Sequence, residues 1–122
     1  MARERKKILL ICRRAPYGNE LARAALDVAL AGGAFEQDID VLFMDDAVWQ
    51  LLPDQDAAKI GRRNIYRTLR SMPLYGIETF YVEDASLRAR RLKPSRLEGN
   101  LELLDAAALP AFVESHDHVL SF

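Results

Sequence analysis

Cysteine is nearly absent from this chain: Cys12 is the only one in 122 residues. That excludes an intramolecular disulfide and favours a reducing compartment. Glycine-rich loops are missing too. A dinucleotide fingerprint needs several glycines in one turn, and a phosphate-binding loop needs a Gly-Lys-Ser/Thr ending. The turn after the first apolar run, residues 13–18, has Gly18 alone. Histidine is scarce, with only His116 and His118, whereas a zinc site usually takes three or four protein ligands. The run Ile8–Cys12 falls far short of the roughly 20 apolar residues of a membrane span. The charged opening Met1–Lys7 leads into no signal-peptide core with a cleavage site, so a cytoplasmic, soluble protein is expected. A net charge of −1 gives no general attraction to nucleic acid. There is no recognisable Ser/His/Asp constellation, no carboxylate pair that can be placed in a cleft, and no internal repeat.

What is present is apolar and periodic. Half of the residues are hydrophobic, enough for one compact core, and the length suits a single domain over 1–122. Short apolar runs alternate with helical stretches, which predicts an α/β fold with a central sheet between helices. Strands are expected at about 7–12, 38–44, 77–82, 100–103 and 118–122. A helix is expected at about 19–31, its stripe formed by Leu21, Ala22, Ala25, Leu26, Ala29 and Leu30. Asn19 would cap that helix and Gly32-Gly33 would stop it. Further helical stretches are expected at 47–52, 63–72, 85–91 (capped by Asp84) and 105–114. A polar loop fills 54–63.

Five features are candidates for function. Cys12 ends the first strand, where open α/β sheets gather their chemistry. Beside Arg13 and Arg14 it could act as a thiolate or persulfide carrier. Strand alternation, however, puts it on the face opposite Arg13, and a lone cysteine commonly packs as a small hydrophobe, so we read it as structural. The second candidate is an anion or nucleotide site at Arg13, Arg14 and the start of the first helix. The third is a metal site at His116 and His118, against which stands an ordinary polar approach to the last strand. The fourth is a basic surface of Arg62, Arg63, Arg67 and Arg70 with Arg88, Arg90, Arg91, Lys93 and Arg96. No interleaved aromatics support base reading there, and a solvated or partner-facing surface is the simpler account. The fifth is Trp49 with Leu51 and Leu52, which is either core or a partner interface. Charge is also segregated. Residues 62–96 carry nine Lys or Arg against three acids, while residues 97–122 carry five acids and no Lys or Arg. That arrangement suits contact between subunits.

Several segments resemble a known family. Ala15-Pro16-Tyr17-Gly18 resembles the Ala-Pro-aromatic/His-Gly turn of the TusC/DsrF-type subunits in the DsrE/DsrF-like sulfur-relay family. Phe43-Met44-Asp45-Asp46-Ala47-Val48-Trp49-Gln50-Leu51 resembles their Phe-x-x-Asp-Gly-Val-aromatic-Gln-Leu segment, with Ala47 in place of the usual glycine. Leu74–Glu78, Ala85–Arg90 and Asp117–Phe122 follow in the same order as in that family. The resemblance implies a mainly parallel sheet. It also implies a heterohexamer with two related small subunits, TusB-like and TusD-like, in which a cysteine persulfide on a sister subunit passes sulfur between upstream and downstream carrier proteins. One branch of the family serves 2-thiolation of tRNA wobble uridine and the other serves dissimilatory sulfur oxidation. The relay cysteine of the active sister lies just after the strand equivalent to 77–82. Here Val82, Glu83 and Asp84 hold that place, so the resemblance implies a non-catalytic structural subunit, without cofactor or direct tRNA contact.

Overall fold

The computed structural model describes residues 6–14, 20–34, 37–52, 69–97 and 99–122. Five strands form one sheet: β1 (Lys7–Cys12), β2 (Asp38–Phe43), β3 (Phe80–Glu83), β4 (Leu101–Leu104) and β5 (His118–Ser121). Their spatial order is β4-β3-β2-β1-β5, and every pairing is parallel. Among the described residues, α1 (Glu20–Ala34), α2 (Asp84–Ala89) and α3 (Leu109–Glu114) flank them, and residues 69–71 are also helical. Short 3-10 turns cover Asp45–Leu51, Met72–Tyr75 and Pro94–Arg96. The α/β architecture is thus as expected from the alternation, with the sheet wholly parallel.

Pleating sorts each strand onto two faces. Leu10, Cys12, Val41, Phe43, Phe80 and Val82 point to the larger core, where Ala25, Leu26 and Ala29 of α1 and Leu87 of α2 meet them. Leu9, Leu42 and Leu104 point the other way, under Leu109, Phe112 and Val113 of α3. Parallel strands buried on both faces read as nearly continuous apolar runs, which is why Ile8–Cys12 of β1 and Val41–Phe43 of β2 are so plain in the sequence. Leu21 and Ala22 of the expected stripe lie where side chains are not described. Asn19, the loop 54–63 and most of the helix at 63–72 fall outside the described residues.

Several boundaries differ from expectation, each for a physical reason. α1 runs through Gly32-Gly33 to Ala34 instead of stopping there. A Cβ on Gly33 would lie 2.6 Å from the Tyr75 carbonyl oxygen, so this glycine permits close helix–turn packing. β3 starts at Phe80, not Ile77, because Ile77 still belongs to the preceding turn and donates its N–H to Met72 O at 3.2 Å. Gly76 closes that turn at φ 87, a left-handed conformation natural to glycine. Asp84 is the first residue of α2 and not its cap; Glu83 holds the cap position without a side-chain bond. α3 starts at Leu109, because Asp105 Oδ1 accepts the Ala108 N–H at 2.8 Å and closes a separate turn first. Pro110 then fits the first helical turn, where no N–H is needed.

Candidate functional site

The strand order reverses beside β1: the chain builds outward through β2, β3 and β4, then crosses to place β5 on the other side. Outside the carboxyl ends of such strands, at the switch point, α/β proteins bind ligands. Here a polar cleft of about 420 Å³ opens there, lined by Arg13, Arg14, Asp45, Ser121 and Phe122.

Cys12 ends β1 in this region but does not face the cleft. It is 1% exposed and packs in the larger core, beside Phe43 in the ladder. Burial pushes its thiol up from 9.0 to about 12. At pH 8 the buried group therefore carries roughly a thousandth of the thiolate of an ordinary cysteine. Iodoacetamide is expected to leave the native chain unmodified over a period that fully alkylates it in urea. Mass spectrometry reads the adduct, and rapid native labelling would contradict the burial. The same shift ties stability to pH. The folded state keeps a proton that the unfolded chain releases, so this contribution is whole below pH 9 and is lost as pH rises toward 12.

The cleft's polar groups are held by one another. Arg13 Nε donates to Asp45 Oδ2 at 2.8 Å. Asp45 sits at φ 51, a strained conformation for a residue with a side chain. Its N–H donates to Ser86 Oγ at 2.8 Å, and Ser86 Oγ–H donates to a Glu83 carboxylate oxygen. Arg90 grips Asp46 Oδ1 through Nε and Nη2 at 3.1 and 3.0 Å and reaches Ser86 O through Nη1 at 3.2 Å. Gln50, 3% exposed, donates from Nε2 to Arg14 O at 2.9 Å and fixes the exit of β1. The ends of β1, β2 and β3 and the start of α2 are thereby joined in one network.

The end of β3 and the position after it present carboxylates, with Glu83 tied to Ser86 and Asp84 paired to Arg88 at 3.2 Å. A carboxylate is no sulfur nucleophile, and it repels an anionic persulfide. Ser86 is 3% exposed and fully engaged. Nothing in the sequence singled out Ser86 or Gln50, because each acts on a residue far along the chain.

The remaining candidates separate. Leu51 and Leu52 are 2% and 4% exposed and belong to this chain's own core, whereas Trp49 is half-buried. The two histidines do not converge. His118 is exposed on β5, while His116 is buried and its Nε2 lies 2.6 Å from Asp40 Oδ2. The expected polar approach to β5 is, at His116, a buried imidazole hydrogen-bonded to a carboxyl group. No cluster of three or more potential metal ligands occurs among the described residues. Arg62, Arg63 and Arg67 lie outside the described residues, so the basic surface is seen only from Arg70 onward. Within it Arg88 and Arg90 are paired to acids, and Arg91, Lys93 and Arg96 lie beyond them. No described helix is long and apolar enough to cross a membrane.

Known proteins match this frame along nearly its whole length. A TusC homologue of Pseudomonas aeruginosa is 38% identical over 116 residues, spanning 95% of this chain and 98% of the relative. The intracellular sulfur oxidation protein DsrF of Allochromatium vinosum is 37% identical, spanning 96% of each. The crystal structure of the ychN protein from E. coli superposes with a TM-score of 0.82 at 25% identity, over 96% of this chain and 99% of that one. The DsrE/DsrF-like family model matches residues 6–122, and the chain belongs to that family.

Proposed function

We propose that this chain is a non-catalytic, structural subunit of a sulfur-relay complex. The observation that carries the reading is the absence of an available thiol at the carboxyl ends of the strands. Cys12 is buried in the core, Glu83 at the end of β3 is tied to Ser86, and Asp84 after it is paired to Arg88. In this reading the sulfur travels on a cysteine of a sister subunit, and this chain completes the assembly around it. The assembly is a cytoplasmic heterohexamer with TusB-like and TusD-like subunits, which meet upstream and downstream sulfur carriers. Similarity to the TusC homologue favours 2-thiolation of the tRNA wobble uridine as the end point. The similarity to DsrF is nearly equal, which keeps sulfur oxidation as the second reading. Trp49, the half-buried member of its segment, is the residue left to meet a partner.

Co-purification of the tagged chain from its native host tests this. Two small related subunits are expected, one bearing a cysteine just after its third or fourth strand. Recovery of the chain with neither subunit would contradict the reading. A siroheme sulfite reductase gene nearby would move the end point to sulfur oxidation.

A further inference from the structure

We propose that β5 is a self-association seam, at which a second copy of this chain pairs antiparallel with the first across a two-fold axis. β5 is an outer strand: among the described residues its only partner in the sheet is β1. Phe122, just past β5, exchanges both main-chain bonds with the β1 side. Its N–H donates to Ile11 O at 2.9 Å, and its O accepts from Arg13 N–H at 3.0 Å. By alternation along a parallel strand, the N–H and C=O of Val119 and Ser121 face away from β1. Those groups have no partner among the described residues.

The side chains agree with the backbone. All four residues of β5 are exposed, and Val119 and Leu120 are 42% and 45% accessible on opposite faces of the sheet. Free strand edges are normally guarded by lysine, proline or a bulge. Residues 118–121, His-Val-Leu-Ser, contain neither lysine nor proline, and their register with β1 runs unbroken.

Charge selects the occupant. The amino end of β5 carries the exposed acids Glu114 and Asp117; with Asp38, the ladder neighbour of Lys7, they outnumber Lys6 and Lys7 at that end by one charge. At its carboxyl end Arg14, which has no ion-pair partner among the described residues, shares the cleft wall with Ser121. A strand that is acidic at one end and basic at the other complements its own antiparallel copy. A register centred on Val119 makes its outward N–H and C=O meet those of Val119 in the second copy. It also brings Asp117 of each copy opposite Ser121, beside Arg14 of the other. Two such sheets form one continuous ten-stranded sheet. The contact stands independently of the relay reading, and an assembly holding two copies of each subunit accommodates it.

Sedimentation equilibrium of the purified chain tests the seam. The mass is expected to rise from 13.8 kDa toward twice that value between about 1 and 100 µM, because so short a strand pair gives a micromolar constant. Added salt should weaken it. Val119→Pro removes an outward N–H without touching the β1 ladder, so it should raise the dissociation constant at least ~10-fold and leave the melting temperature close to wild type. Arg14→Glu, which breaks no ion pair among the described residues, should weaken association as well. A wild-type chain that stays monomeric throughout, including one that pairs only with sister subunits, would overturn the proposal. So would dimers that survive both substitutions.

Discussion

Replacing Asp40 with alanine is expected to lower the free energy of unfolding by about 3 kcal/mol, because it strips the partner from a buried imidazole. His116 has a side chain only 1% exposed, wedged between α3 and the sheet. Its Nδ1–H donates to the Phe112 carbonyl oxygen at 2.8 Å, and its Nε2 is hydrogen-bonded to the Asp40 carboxyl group at 2.6 Å. Phe112 closes over the ring edge-to-face at 4.8 Å. The bond joins residues 76 apart and fixes α3 and the start of β5 to the middle of the sheet. Next to it, Asp117 takes the Lys7 N–H on its carboxylate and donates its own N–H to Lys7 O, both at 2.8 Å. Asp40→Asn keeps an oxygen acceptor and should cost distinctly less. Urea unfolding by circular dichroism measures both. Equal, small effects would mean that the hydrogen bond contributes nothing to holding the last third of the chain.

Phe43→Ala is expected to cost about 4 kcal/mol, the scale for deleting a fully enclosed ring. Phe43 is 0% exposed and ends β2 between Cys12 and Val82 in the ladder. It meets Phe80 edge-to-face, with centroids 5.5 Å apart. The 3-10 turn Asp45–Leu51 begins two residues later, with Ala47, Val48 and Leu51 buried in the same cluster. The cavity would therefore open beneath the segment that carries the Arg13–Asp45 and Arg90–Asp46 pairs. Phe43→Leu fills most of the space and should cost roughly 1 kcal/mol. A chemical-denaturation midpoint close to wild type for Phe43→Ala would show that the core collapses into the gap.

Much of this fold was legible because parallel strands enforce it. β1 and β2 had to be largely apolar, and the sequence supplies the continuous run Ile8–Cys12 and the run Ile39–Phe43, interrupted only by Asp40. Errors arose where an apolar residue serves another element. Ile77 is core yet belongs to a turn, and Gly33 is a packing contact yet looks like a helix stop. The site was half legible. The position of Cys12 and its inward direction followed from strand alternation. Its neighbours did not, because Ser86 acts on a residue 41 positions away, Gln50 on one 36 away and His116 on one 76 away. No local periodicity encodes such pairs. Asp45 at positive φ was likewise invisible, since the family resemblance directs attention to the Asp46-Ala47 step after it.

The central claim is that this chain carries no sulfur. The most direct measurement is sulfur transfer by the assembled complex containing Cys12→Ser, driven by a desulfurase and labelled cysteine and read as label on the downstream acceptor. Unchanged transfer, with the subunits still co-eluting, is the predicted result. Transfer abolished while the assembly stays intact would make Cys12 the carrier and contradict the account.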